Sequence, residues 1–253
     1  MMGVIHTDAI RTTALTKIYK NGKVAVDGLE LTVKQGELFA LLGVNGAGKT
    51  TAIKMMCCLI PPTSGGAEIL GFDIAKQPRE VKMRLGVSPQ ETAVAPALSV
   101  RENLELMRGV YGHNASDRKS KADEIIDRFG LGEVARDKAK TLSGGWQRRL
   151  SIAMALVSEP ELLFLDEPTL GLDVLARREL WKVIESLKGK ITVILTTHYL
   201  EEATALSDRI AVMASGRLAA VGNADELIAK TGTINFEEAF VSLAGGNTVG
   251  GVK

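Results

Sequence analysis

Few residues in this chain can staple it or bind metal. It has two cysteines, Cys57 and Cys58, and they are adjacent. Neighbouring thiols make a poor disulfide and there is no third to bridge to, so a disulfide framework is excluded. With no histidine cluster nearby, a metal site there is excluded on the same ground. The pair reads as two small apolar residues on a buried helix. Charge of one sign is also missing: 31 basic and 30 acidic residues leave a formal charge of +1. That balance gives no electrostatic reason to expect nucleic acid as a partner. No uninterrupted apolar run approaches the ~20 residues that span a bilayer. The start, MMGVIHTDAIR, has no apolar core of signal-peptide length. The chain is therefore expected in the cytoplasm, acting on a membrane only through another polypeptide. There is no internal repeat and no low-complexity linker.

The 253 residues suffice for one sizeable domain or a domain with an inserted lobe. Leu29 to Val33 (LELTV) alternates, as a strand with one wet face does. Leu38 to Leu42 (LFALL) is continuously apolar, as a strand covered on both faces is. Leu162–Leu165, Ile191–Leu195 and Ile210–Met213 repeat the second type, and amphipathic stretches such as Leu175–Leu187 lie between them. Strands alternating with helices predict an α/β fold with a mostly parallel sheet flanked by helices. Between about Glu91 and Ser158 the strand signal disappears. Ser99-Val-Arg-Glu102 fits a capping box opening a helix, and a polar segment, Asn114 to Lys121, leads into DEIIDRF, closed by Gly130. The expected organisation is a core over 1–90 and 159–244 with an N-terminal antiparallel β part, an inserted helical part over 91–158, and a flexible tail over 245–253.

Gly43-Val-Asn-Gly-Ala-Gly48-Lys49-Thr50 matches the phosphate-binding pattern G-x-x-x-x-G-K-[ST] in full, directly after a buried strand and before an amphipathic segment. Glycines let the loop curl so that successive N–H groups face phosphate oxygens, and the following helix aims its positive end there. Lys49 adds a full charge near the β- and γ-phosphates. Thr50 offers a hydroxyl to Mg²⁺, a cation that keeps much of its hydration and needs few protein ligands.

Leu162 to Glu167 (LLFLDE) is an apolar strand ending in two carboxylates, a costly arrangement unless they meet a cation or solvent at the sheet's edge. Ligands of open α/β sheets bind beyond the carboxyl ends of the strands. Asp166 is the expected partner for hydrated Mg²⁺, and Glu167 the group that orients and deprotonates an attacking water. Gln90, after the strand LGVSP, is placed to reach metal and water. His198, ending ITVILTTH, is placed to contact the γ-phosphate. In TLSGGWQRRL, two glycines stand between a serine and a helical run, where they suit close backbone approach to an anion.

Together these motifs resemble the ATP-binding subunits of ABC transporters across nearly the whole chain. They are GVNGAGKTT (Gly43–Thr51), Gln90 in VSPQ, LSGGWQRR (Leu142–Arg149), LLFLDEP (Leu162–Pro168), GLD (Gly171–Asp173) and His198. The resemblance implies a P-loop NTPase core binding ATP and Mg²⁺ through Gly43, Asn45, Gly46, Ala47, Gly48, Lys49, Thr50 and Thr51. Metal contacts fall to Thr50, Gln90 and Asp166, and catalysis to Glu167, His198 and Lys49. It also implies that two such subunits pair head to tail, so that Ser143, Gly144 and Gly145 close over the ATP of the other copy. Asp173 then connects the two sites, and Tyr19 stacks on adenine. Trp146 departs from the family pattern, which most often has glutamine there.

By the same resemblance a separate membrane permease docks near Gln90, which places the chain at the cytoplasmic face of the membrane. The segments APALSVRENLELMRGVYG and TINFEEAFVSLAGG look like bacterial drug-resistance and sodium-efflux exporters, which favours export. The competing class is a soluble ATPase of the same family acting in translation or DNA repair. Such chains usually carry two of these domains or a long inserted coiled coil, and this chain shows neither.

Overall fold

The computed structural model describes residues 8–245. The tail expected from 245 onward lies outside the described residues after Gly245, as do the first seven residues. Along the chain, strands β1 (Asp8–Ile18), β2 (Val24–Lys34) and β3 (Leu38–Leu42) lead to helix α1 (Lys49–Met56). There follow β4 (Ser64–Ile69), β5 (Phe72–Asp73), α2 (Pro78–Met83) and β6 (Leu85–Ser88). Helices α3 (Val100–Val110), α4 (Ala115–Arg128) and α5 (Gly144–Leu156) precede β7 (Leu162–Asp166) and α6 (Val174–Glu185). The chain closes with β8 (Thr192–Thr197), α7 (Leu200–Leu206), β9 (Arg209–Ala214), β10 (Arg217–Gly222), α8 (Ala224–Thr231) and α9 (Phe236–Ala244). The class is α/β. Two compact units divide it, residues 1–83 with 192–253, and residues 84–191.

The first unit holds two β layers. One is antiparallel, in the order β2-β1-β4-β5. In β2, Leu29, Leu31 and Val33 are buried and Glu30 is exposed, the alternation expected of a strand with one wet face. In the other layer β3 runs parallel to β8 on one side and to β9 on the other, and β10 closes the edge as the antiparallel return of a hairpin. Every side chain of β3 and of β8 is buried. That is why the sequence shows a solid apolar run there rather than alternation.

One expectation fails in detail. α1 stops at Met56, so Cys57 is its C-cap and Cys58 lies beyond it at φ +55°. The chain turns sharply there, with the N–H groups of Leu59 and Ile60 both returning to Lys54 O. Cys57 is buried as expected, whereas Cys58 is half-buried, and burial pushes its thiol pKa up. Apolar spacing alone does not mark where a helix stops.

The second unit pairs β6 with β7 in parallel and packs helices around them. The Ser99–Glu102 capping box is present at the start of α3. The polar segment from Asn114 turns out to be the first half of α4, with Asn114 as its cap. A charge cluster ties these helices together. Arg108 on α3, which is buried, donates to Asp117 on α4 at 2.7 Å and to Glu159, beyond α5, at 3.1 Å. Lys121 on α4 donates to the same Glu159 at 2.8 Å. The bond from Arg108 holds the Asp117 carboxyl below its ordinary range, and the bond from Lys121 does the same for Glu159.

Candidate functional site

The first unit carries the phosphate loop between β3 and α1. Two of its glycines are demanded by the fold around them. A Cβ on Gly43 would lie 2.5 Å from Met213 O, and one on Gly48 2.3 Å from Ala25 O. Gly48 also holds φ +104°, a backbone conformation that side-chain-bearing residues rarely adopt. Ala47 is buried and its carbonyl accepts from Gly216 N–H at 3.1 Å, while Asn45 and Gly46 stand exposed at the tip. Lys49 opens α1. Its ammonium turns back over the loop, donating to Gly43 O at 2.6 Å and Val44 O at 3.4 Å. α1 has neither a side-chain cap nor an acidic residue in its first turn, so the positive end of its dipole is not offset from within the helix itself.

Thr50 and Thr51 follow on α1, both half-buried. Tyr19 stands just past the end of β1 and is exposed. Its hydroxyl lies 3.4 Å from Thr51 Oγ1, and Lys17 Nζ is 5.8 Å from its ring centre. His198 is the first residue after β8, half-buried, with its ring centre 4.1 Å from that of Tyr199.

In the second unit, Asp166 ends β7 and Glu167 follows; both are buried. Glu167 holds φ +49°, a left-handed conformation uncommon outside glycine. β6 pairs with β7 in register up to Ser88 against Leu165, so Gln90 and Asp166 leave the pair at the same, carboxyl end. A threonine hydroxyl, an amide and a carboxylate form a set of hard oxygen donors, which is what Mg²⁺ selects.

Ser143 is the N-cap residue of α5, but its hydroxyl makes no cap hydrogen bond, and the first turn has no acidic residue. A Cβ added to Gly144 would meet nothing within 4 Å, and one on Gly145 would approach Ala176 Cβ at 3.2 Å. Other helices are finished differently: Ser99, Asn114, Asn223 and Asn235 each cap α3, α4, α8 and α9 with their own side chains. Asp173 caps α6, its Oδ1 accepting from the N–H groups of Leu175 and Ala176 at 2.9 Å each. Trp146 packs within its own unit, under the Arg149 guanidinium at 4.8 Å from the ring centre.

The sequence reading gave no role to Arg148. It is buried one turn into α5, and its guanidinium donates to Asp166 O at 2.5 Å, Pro168 O at 2.8 Å, Gln90 O at 3.2 Å and Pro89 O. The available signal was helical spacing. Arg148 shares a face with Ser151, whose hydroxyl lies 2.9 Å from that of Ser88 on β6, and with the otherwise small Ala155. A charged residue on the inner face of so apolar a helix requires buried partners.

Comparison with known proteins agrees with this geometry. The family described as ABC transporter matches residues 26–170. The daunorubicin/doxorubicin resistance ATP-binding protein DrrA of Streptomyces peucetius is 45% identical over 92% of this chain and 70% of its own length. The linearmycin resistance ATP-binding protein LnrL of Bacillus subtilis is 40% identical over 83% of this chain and 68% of its own. Among solved structures, an ATP-binding subunit of an ABC transporter superposes with a TM-score of 0.82 at 28% identity, covering 93% of this chain and 99% of that one. A dimeric ATP-binding cassette in a post-hydrolysis state, bound to ADP and phosphate, superposes with a TM-score of 0.77 at 26% identity, covering 85% of this chain and 98% of that one.

Proposed function

Since the chain belongs to the ABC transporter family as an ATP-binding, ATP-hydrolysing subunit of the drug-resistance exporter type, we propose that it drives export through a separate membrane permease by ATP-dependent pairing with a second copy of itself. Among the described residues no helix is long and apolar enough to cross a membrane. In this reading the pore is formed by the permease, docked near Gln90, with this chain at the cytoplasmic face.

In this reading the backbone of Gly43 to Gly48 and the Lys49 ammonium hold the β- and γ-phosphates, and Tyr19 stacks on adenine. Thr50, Gln90 and Asp166 hold Mg²⁺, which when bound neutralises charge developing on the phosphates. Glu167 takes the proton of the attacking water, and His198 contacts the γ-phosphate and keeps that water in line. Ser143 of the partner subunit donates to the γ-phosphate, while the partner's Gly144 and Gly145 bring its backbone close. Asp173 lies at the junction between the two sites. ATP then favours the closed pair and hydrolysis releases it.

One observation supports the pairing: Gly144 opens a helix without a side-chain cap, and among the described residues no packing neighbour lies within 4 Å of where its side chain would stand. Mixing Lys49→Ala subunits with Ser143→Ala subunits tests it. A mixed pair regenerates one intact pocket from the unmutated halves, so ATPase activity returns to roughly a quarter of wild type, set by the fraction of mixed pairs. If the mixture stays as inactive as either variant alone, the shared pocket is wrong.

A further inference from the structure

α5 is seated firmly in its own unit. A Cβ on Gly86 of β6 would lie 2.4 Å from Ala155 O, so strand and helix are in direct backbone contact. Arg148 extends that anchorage to the carboxylate end of β7. Two of its acceptors, Asp166 O and Pro168 O, belong to the residues immediately before and after Glu167. Two more, Pro89 O and Gln90 O, belong to the Gln90 segment. Glu167 sits between the gripped carbonyls at φ +49°. A strained backbone of this kind persists only where its surroundings over-determine it. A planar guanidinium, with five donors in a fixed fork, can hold several carbonyls in one arrangement; an ammonium cannot span them in the same way.

We propose that Arg148 is a positioning residue for hydrolysis. It fixes the backbone on both sides of Glu167 and couples that backbone to the first turn of α5, five residues beyond Ser143. The inference rests on the reading of Glu167 as the group that activates water. Under it, phosphate engaged by Ser143 steadies the same helix that aims Glu167.

The test is a double-mutant cycle on the full chain. Arg148→Met lowers kcat about 30-fold and leaves KM and the affinity for a non-hydrolysable ATP analogue within about threefold, because aim is lost and binding is not. In a Glu167→Gln background the same substitution leaves the residual single-turnover rate within about twofold, since the side chain being aimed no longer acts as a base. Arg148→Lys serves if the methionine variant does not fold; it lowers kcat about tenfold, with the same loss of effect in the Glu167→Gln background. Wild-type kcat in a folded variant, or equal losses in both backgrounds, overturns the proposal. Wild-type turnover in Glu167→Gln alone removes the base assignment and the inference with it, and the Arg148 variants by themselves do not give that result.

Discussion

The helix starts at Lys49 and Gly144 share a plan and differ in what surrounds it. Both α1 and α5 lack a capping side chain and an acidic first turn. At α1 the preceding loop is built into the unit: Gly43 and Gly48 press against the carbonyls of Met213 and Ala25, and Lys49 is buried over its own loop. At α5 the start is bare. Ser143 and Gly144 are exposed, and among the described residues no packing neighbour comes within 4 Å of where a Gly144 side chain would be. The glycines at α1 are explained by their own fold; for Gly144 the described residues offer no such contact, and the proposed partner subunit would supply the reason. A formed cradle and a bare helix start in one polypeptide are the contrast that the proposed head-to-tail pair predicts.

Substitutions that exchange the two situations put the contrast to the test. Gly48→Ala combines a disfavoured φ with a clash against Ala25 O and should destabilise the chain by about 3 kcal/mol. In a chain of this size that lowers Tm by roughly 9 °C in calorimetry. Gly144→Ala should leave Tm within about 1 °C, because alanine is the better helix former and has room. It should nonetheless cut ATP-dependent dimerisation and turnover about 30-fold, with ATP affinity of the monomer unchanged. Equal thermal losses in the two variants would erase the distinction between cradle and lid.

The smallest effect concerns how α5 is moored at its far end. Glu159 and Asp117 have folded pKa values below their ordinary 4.5 and 3.8. The stability they contribute is therefore complete above about those values and is lost as pH falls through the lower, folded ones. Amide-exchange protection of α3 and α4 should drop below pH 4.5 ahead of that of β3. The drop should be only a few-fold, since both carboxylates are more than a third exposed. Unchanged protection of α4 down to pH 3 would show that this ionic cluster does not moor the helices.

The catalytic vocabulary was legible because phosphate and Mg²⁺ chemistry admits few residue types at fixed spacing, as in Gly43 to Thr50 and Asp166-Glu167. The buried strands β3, β7, β8 and β9 were legible because enclosure on both faces leaves continuous apolar runs at their centres. β1 escaped notice because its pairing shifts register between Thr12 and Leu15, around Ala14 at φ +45°, which breaks the alternation. β4 escaped because its SGGAEI sequence has little apolar signal. Arg148 escaped for another reason. Its partners are main-chain carbonyls, and these leave no trace in the identity of the residues that supply them.

A side chain that reads only peptide oxygens places no demand on the letters at the positions it holds, so those positions can drift under their own pressures while the grip is inherited intact. Mutational tolerance should therefore be lopsided: broad at Pro89 so far as this grip is concerned, narrow at Arg148. A library scored for turnover would reveal that asymmetry where a list of matching motifs would not.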